Sequence, residues 1–263
     1  MQNLFDDYYF LNTLIPSITL GERPELSYKE LAFLLPINLT ASDMRQVVLL
    51  RRFYDLQNMR NLWLGNQLEP FGNYTQAELE DLLITQADLP EYVTQFLETY
   101  TDVKARLLYF PKLLSEYYKE AGEKAHGFLK EYLQFERQWH IIMVVLRARR
   151  IGRDLLVELQ FEDPEDPFIA QILAEKDVKS YAPPEKYERL KTIYEDYVEE
   201  SLLLKEAIVS YAFDFVESHL ELNNFSFDRV MGSLIETILA EKWLSLDRLK
   251  GEKILNNILE GLS

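Results

Sequence analysis

Long α-helices packed on one another are the architecture this sequence predicts, and three observations predict it. Hydrophobic residues recur at alternating three- and four-residue spacing along two long stretches, the period of a helix burying one face. Capping signatures stand ahead of shorter stretches of the same kind. Only 9 glycines occur in 263 residues, too few for a turn-dense all-β fold or for several phosphate-cradling loops.

The elements follow in chain order. Ser27-Tyr28-Lys29-Glu30 is a capping box, in which a hydroxyl and a carboxylate three residues apart satisfy the first free N–H groups of a helix. Leu49, Phe53, Leu56, Met59 and Trp63 form the apolar face of a second helix, opened by Thr40 or Ser42 and closed near Gly65. Thr75-Gln76-Ala77-Glu78 is another capping box. The longest stripe runs through Leu114, Tyr118, Ala121, Ala125, Phe128, Tyr132, Phe135, Trp139, Ile142 and Leu146, with Pro111 suited to its first turn. Unbroken to Arg150 it would span roughly 60 Å. Gly122 and Gly127 each cost about 1 kcal/mol relative to Ala inside a helix, so a bend or break is expected there. Leu155, Val157, Leu159 and Phe161 alternate like a strand, but an isolated strand has no partner and the segment reads as a loop or helix end. Phe168–Leu173 has the pattern of a short helix. A second long stripe follows Pro183 and Pro184: Tyr187, Leu190, Tyr194, Tyr197, Leu204, Ile208, Tyr211 and Phe215, with Ser201 filling the gap. A terminal helix pair is expected after Ser226 and Asp247 as caps, with Val230, Leu234 and Ile238 facing the core.

The acidic segment Glu162–Pro184 holds four of the 10 prolines and separates the two long stripes. The expected organisation is therefore a helical half over 1–161, a connector over 162–184 and a second helical half over 185–263. Phe53–Arg60 and Phe135–Ile142, each an aromatic before an acid running into apolar helix, hint at an internal repeat.

Charge and composition remove several classes of function. With 28 basic and 44 acidic side chains the net charge is −16, which repels nucleic acid and anionic lipid and favours basic protein partners. Residues 158–200 carry 13 acidic and 5 basic side chains, half of that net charge. The chain has no cysteine, so disulfides and thiolate metal sites are ruled out. Met1–Asp7 is acidic where a secretion signal would be basic, and no apolar run reaches membrane-spanning length. A soluble cytoplasmic protein is expected.

No catalytic constellation emerges. The glycine patterns of P-loops and dinucleotide sites are missing. Glu123 and His126 have the Glu-x-x-His spacing of di-iron bundles, but those need a second copy and two further Glu. Glu199-Glu200 and Asp6-Asp7 read as solvated pairs. The expectation is thus no catalytic residue, no metal and no cofactor. Arg147, Arg149, Arg150 and Arg153 form the one basic cluster. They either complement the C-terminus of the longest helix or contact an acidic partner, including the chain's own segment 158–200.

Several blocks resemble a bacterial family encoded among the subunits of V/A-type rotary ATPases. They are Tyr8-Tyr9-Phe10-Leu11, Leu14-Ile15-Pro16, Leu26-Ser27-Tyr28, Gly72-Asn73-Tyr74-Thr75, Asp88–Tyr92, Phe96–Tyr100, Asn224–Asp228 and Glu241–Asp247. That family is similar to the funnel-shaped central-stalk protein of those ATPases, a non-catalytic assembly of helical repeats. Asp55 and Asn58 match its acid-then-Asn pattern, whereas Glu136 is followed by Trp139 where Asn would stand, with Arg147 further on. The resemblance implies a socket coupling the rotor shaft to the membrane proteolipid ring, peripheral at the inner face of the cell membrane through protein contacts only. The rival readings are a helical adaptor in another assembly and an all-α metalloenzyme using Glu123 and His126.

Overall fold

The structure is a computed structural model. It describes residues 8–178, 181–220 and 225–261, with side chains of the last helix described through Asp247 and again at Gly251. Among the described residues the fold is all-α, without strands. The first helices are α1 (Tyr9–Leu14), α2 (Tyr28–Asn38), α3 (Ala41–Leu64), α4 (Gln76–Thr85) and α5 (Glu91–Thr99). Next come α6 (Val103–Leu108), α7 (Phe110–Lys124), α8 (Gly127–Ile151), α9 (Leu155–Glu158) and α10 (Pro167–Ala174). A 3-10 turn at Glu185–Tyr187 leads into α11 (Glu188–Tyr197), followed by α12 (Ser201–Leu220) and α13 (Phe227–Gly261).

Local chemistry explains where these helices begin and end. Both capping boxes form with both reciprocal bonds, Ser27 with Glu30 and Thr75 with Glu78. α3 opens after Thr40 and closes before Gly65, burying Leu49, Phe53, Leu56 and Met59. The longest stripe does break: α7 ends at Lys124 and α8 begins at Gly127, whose φ of +55° is open to glycine at little steric cost. Within that stripe Leu114 and Trp139 are only partly covered and the other eight members are buried. The second stripe is also two helices, parted at residues 198–200. Tyr197 is exposed, and the buried face of α12 is carried by Tyr211, Ala212, Phe213, Val216 and Leu220. Leu155–Glu158 is one helical turn capped by Asp154.

The expected terminal pair is a single helix. Ser226 accepts from the Arg229 N–H as an N-cap should, but Asp247 lies inside α13. An N-cap needs its backbone outside the helical region, and no Gly or Pro between Leu239 and Lys250 interrupts the helix there.

The chain forms two compact units. The first contains residues 1–41, 139–147 and 179–263. Its centre is α13, where every residue from Val230 to Ala240 is buried, so the helix is covered all round rather than on one face. α12 runs along it, and α1 and α2 pack on it. A Cβ at Gly232 would lie 2.1 Å from the Leu220 Cδ2, so glycine is what allows α12 this close. The second unit contains residues 42–138 and 148–178. Its core is aromatic: Phe53, Tyr54, Tyr117 and Tyr118 meet with ring centroids 5.1–6.2 Å apart. The buried Tyr117 hydroxyl donates to the Leu49 carbonyl at 3.1 Å.

Candidate functional site

The second unit holds most of the buried polar groups, and most of them clasp backbone. Asp55, on α3, is only 3% exposed. It accepts from the Asn73 N–H at 2.6 Å, the Asn73 side-chain amide at 2.7 Å and the Tyr74 N–H at 3.3 Å. One turn further along, Asn58 both donates to the Glu69 carbonyl and accepts from the Glu69 N–H, each at 2.8 Å. Arg51 donates to the carbonyls of Phe71 and Gly72. The loop from Glu69 to Tyr74 is therefore tied to α3 along its length. Gly72 is fixed by the same approach, since a Cβ there would lie 2.5 Å from the Asp55 carboxylate. Burial pushes the Asp55 carboxyl up to about 6, against the lowering effect of the Asn73 donors.

Glu136 lies in a cage of tyrosines. Tyr118 and Tyr132 donate to it at 3.3 and 3.4 Å. Burial first, and neighbouring charge including Glu136 second, hold the Tyr54, Tyr117, Tyr118 and Tyr132 hydroxyls well above their ordinary range.

The predicted arginine cluster is divided in its roles. Arg149 donates to the carbonyls of Glu175, Lys176 and Val178, at the end of α10, and Arg153 pairs with Glu158 at 3.0 Å. Both thus engage the chain's own acidic segment. Arg150 and Arg147 are exposed. The strongest grip on that segment comes from a residue outside the cluster. Arg137 binds Glu162 at 2.6 Å and Asp166 at 2.7 Å, with all three side chains at most a quarter exposed. Its signal in the sequence was faint, an arginine one residue after the glutamate of an apolar stripe.

Glu123 and His126 do not share a helix face. α7 ends at Lys124, and His126 is the N-cap of α8 with an extended backbone, so the three-residue spacing has no helix to place it on. Among the described residues no group of three His, Cys, Asp or Glu could hold a metal ion. Glu199 and Glu200 are exposed, and Asp6-Asp7 lies outside the described residues.

One groove stands out, between α5 and α7 in the second unit. Its outer chamber has a volume of about 690 Å³ and is lined mainly by charged side chains. A tighter chamber of about 170 Å³ adjoins it, walled by Tyr92, Phe96 and Tyr100 with Lys112 and Glu116. Neither chamber was visible in the sequence, because α5 and α7 are parted by α6 and meet only through folding.

Fold and site together define an all-helical protein whose buried polar groups serve as internal clasps. Among the described residues no helix is long and apolar enough to cross a membrane. The chain belongs to the family described as protein of unknown function (DUF2764), whose model matches residues 5–263. It is similar to an uncharacterized protein of Chlamydia trachomatis serovar D, 27% identical over 262 residues, covering 97% of this chain and 98% of that one. Uncharacterized proteins of Chlamydia muridarum and Chlamydia pneumoniae are 26% and 28% identical, over 98% and 95% of this chain and 99% and 97% of theirs. No solved structure matches.

These findings correct the resemblance to the ATPase central-stalk funnel. The family that covers the chain is DUF2764, its relatives here are chlamydial, and none of the matches is to a central-stalk protein. The residues that suggested the likeness have a local explanation. Asp55 and Asn58 are one helical turn apart because together they tie down the Glu69–Tyr74 loop.

Proposed function

We propose that this chain is a non-catalytic helical adaptor that works by docking on other proteins. The observation that carries this reading is the use of the buried and half-buried polar groups. Asp55, Asn58, Arg137 and Arg149 each spend their hydrogen bonds on the chain's own loops and helix ends. Such clasps stiffen a body that transmits position or force, since a close-packed interior resists deformation. Exposed apolar side chains on α2 (Phe33 at 71% and Ile37 at 67%) supply the kind of surface that a partner covers.

The narrower form of the proposal is the socket role: coupling the rotor shaft to the proteolipid ring of a V/A-type rotary ATPase, at the inner face of the membrane through protein contacts alone. It makes a definite demand. The purified chain should form a one-to-one complex with the shaft proteins of the ATPase from its own cells, by light scattering, and hydrolyse no ATP by itself. Co-purification of the tagged chain from native cells, with partners identified by mass, tests the broader reading. Partners that recur without the ATPase would remove the socket and keep the adaptor. A chain that stays alone would remove both.

A further inference from the structure

We propose that the groove between α5 and α7 receives a basic segment of a protein partner, an Arg or Lys side chain of that segment entering the inner chamber. The proposal rests on the adaptor reading and gives its partner a chemistry.

The charges of the outer chamber are unbalanced. Five carboxylates face it against the three cations Arg52, Lys119 and Lys124. Arg52 and Lys124 are both already bound to one of those carboxylates, Glu120. Four others (Asp88, Glu91, Glu116 and Glu123) are left with Lys119, on a chain whose net charge is −16. A groove of that balance attracts and orients a basic segment.

The inner chamber adds selectivity beyond charge. Glu116 lines both chambers, so a carboxylate stands at the passage between them. Beyond it are the aromatic side chains of Tyr92, Phe96 and Tyr100. Lys112 already lies over the Tyr100 ring with its nitrogen 5.9 Å from the centroid, so a wall of this chamber takes a cation on its face. A carboxylate at the entrance with aromatic walls behind it suits the end of an Arg or Lys side chain, with the rest of the basic segment along the outer chamber.

The test uses the full chain and a defined probe, an eight-residue peptide of alternating arginine and glycine. Amide chemical shifts are followed by NMR at about 150 mM salt, where long-range attraction is largely screened. The expected result is shifts confined to residues 88–100 and 112–124. Affinity should fall about tenfold in the Glu116→Gln/Glu123→Gln double variant and less than about twofold in Glu199→Gln/Glu200→Gln, which removes the same charge elsewhere. All four glutamates are exposed, so both variants should fold, and circular dichroism checks this. Shifts spread over residues 185–200, equal weakening in the two variants, or no shifts at all would each overturn the groove. Native partners retained undiminished by the Glu116→Gln/Glu123→Gln chain would overturn it too, while leaving the adaptor reading intact.

Discussion

The two units of this protein are both helical, yet they solve burial in opposite ways. The first surrounds one helix: α13 is buried at every position from Val230 to Ala240, eight of those eleven residues being apolar or glycine. The second wraps loops onto helices and holds them with polar groups, the buried Asp55 and Asn58 on one loop, the half-buried Arg137 and Arg149 on the acidic segment. The contrast is sharpest in one carboxylate from each. Asp55 and Glu236 are 3% and 5% exposed, and burial raises both, to about 6 and about 7. Asp55 accepts three N–H donors, whereas Glu236 has no hydrogen bond or ion pair among the described residues, only Arg229 and Glu217 within electrostatic reach. Burial of a carboxylate does not by itself say whether the fold depends on it; its donors do.

Asp55→Ala should therefore have the largest effect. It strands three donors and frees the Glu69–Tyr74 loop, costing about 3 kcal/mol. A lowered urea midpoint should be accompanied by loss of hydrogen-exchange protection at Asn73 and Tyr74. If the midpoint is unchanged, the two units are not built differently after all.

Removing the other carboxylate should act with the opposite sign. Because the folded pKa of Glu236 lies above its unfolded value of about 4.5, its contribution is fully favourable below that pH and is lost as pH rises through about 7. Glu236→Gln should leave stability unchanged near pH 4.5 and raise it by about 2 kcal/mol at pH 8. Urea titrations of both proteins at the two pH values measure this directly. A loss of stability at pH 8 would mean that Glu236 has a role its surroundings do not reveal.

Gly232→Ala tests the tight side of the first unit. The added Cβ meets Leu220, which is itself buried and has little room to move, so about 1–2 kcal/mol should be lost. Made in a Leu220→Ala background, Gly232→Ala should cost less than it does in the unchanged protein, which a helix-propensity effect would not allow. The smallest effects belong to a motif the units share. Ser27→Ala in the first and Thr75→Ala in the second each break a capping box and should cost about 1 kcal/mol apiece. Unequal costs would show that the units differ even in how they start a helix.

What was legible in the sequence is what depends on neighbours along the chain. The capping boxes, the run of α3 to Gly65 and the break beside Gly127 all follow from residues within a few positions of one another. Asp247 misled because an N-cap residue has no effect where the preceding helix is not interrupted. The stripe through Tyr187 and Phe215 keeps its apolar period across residues 198–200, where the helix itself is interrupted, so the period alone does not mark that break. The clasps and the groove were not legible, since Asp55 with Asn73, Arg137 with Glu162 and Tyr92 with Glu116 meet only after folding. The arginines were readable as charge, and their partners in the acidic segment were expected as one of two outcomes. Arg137, alone within an apolar stripe, gave no such cue.

The central place of α13 also sets an order of events during synthesis. α1 and α2 are made well before α13, the helix they pack on. At about 5–20 residues per second, they wait roughly ten to forty seconds before that helix exists. During that interval the faces bearing Leu11, Leu31 and Leu35 have no native cover, while residues 42–138 of the second unit are already available to condense. The interval is set by the time taken to translate from α2 to α13, so a translation pause before Phe227 would lengthen that exposure.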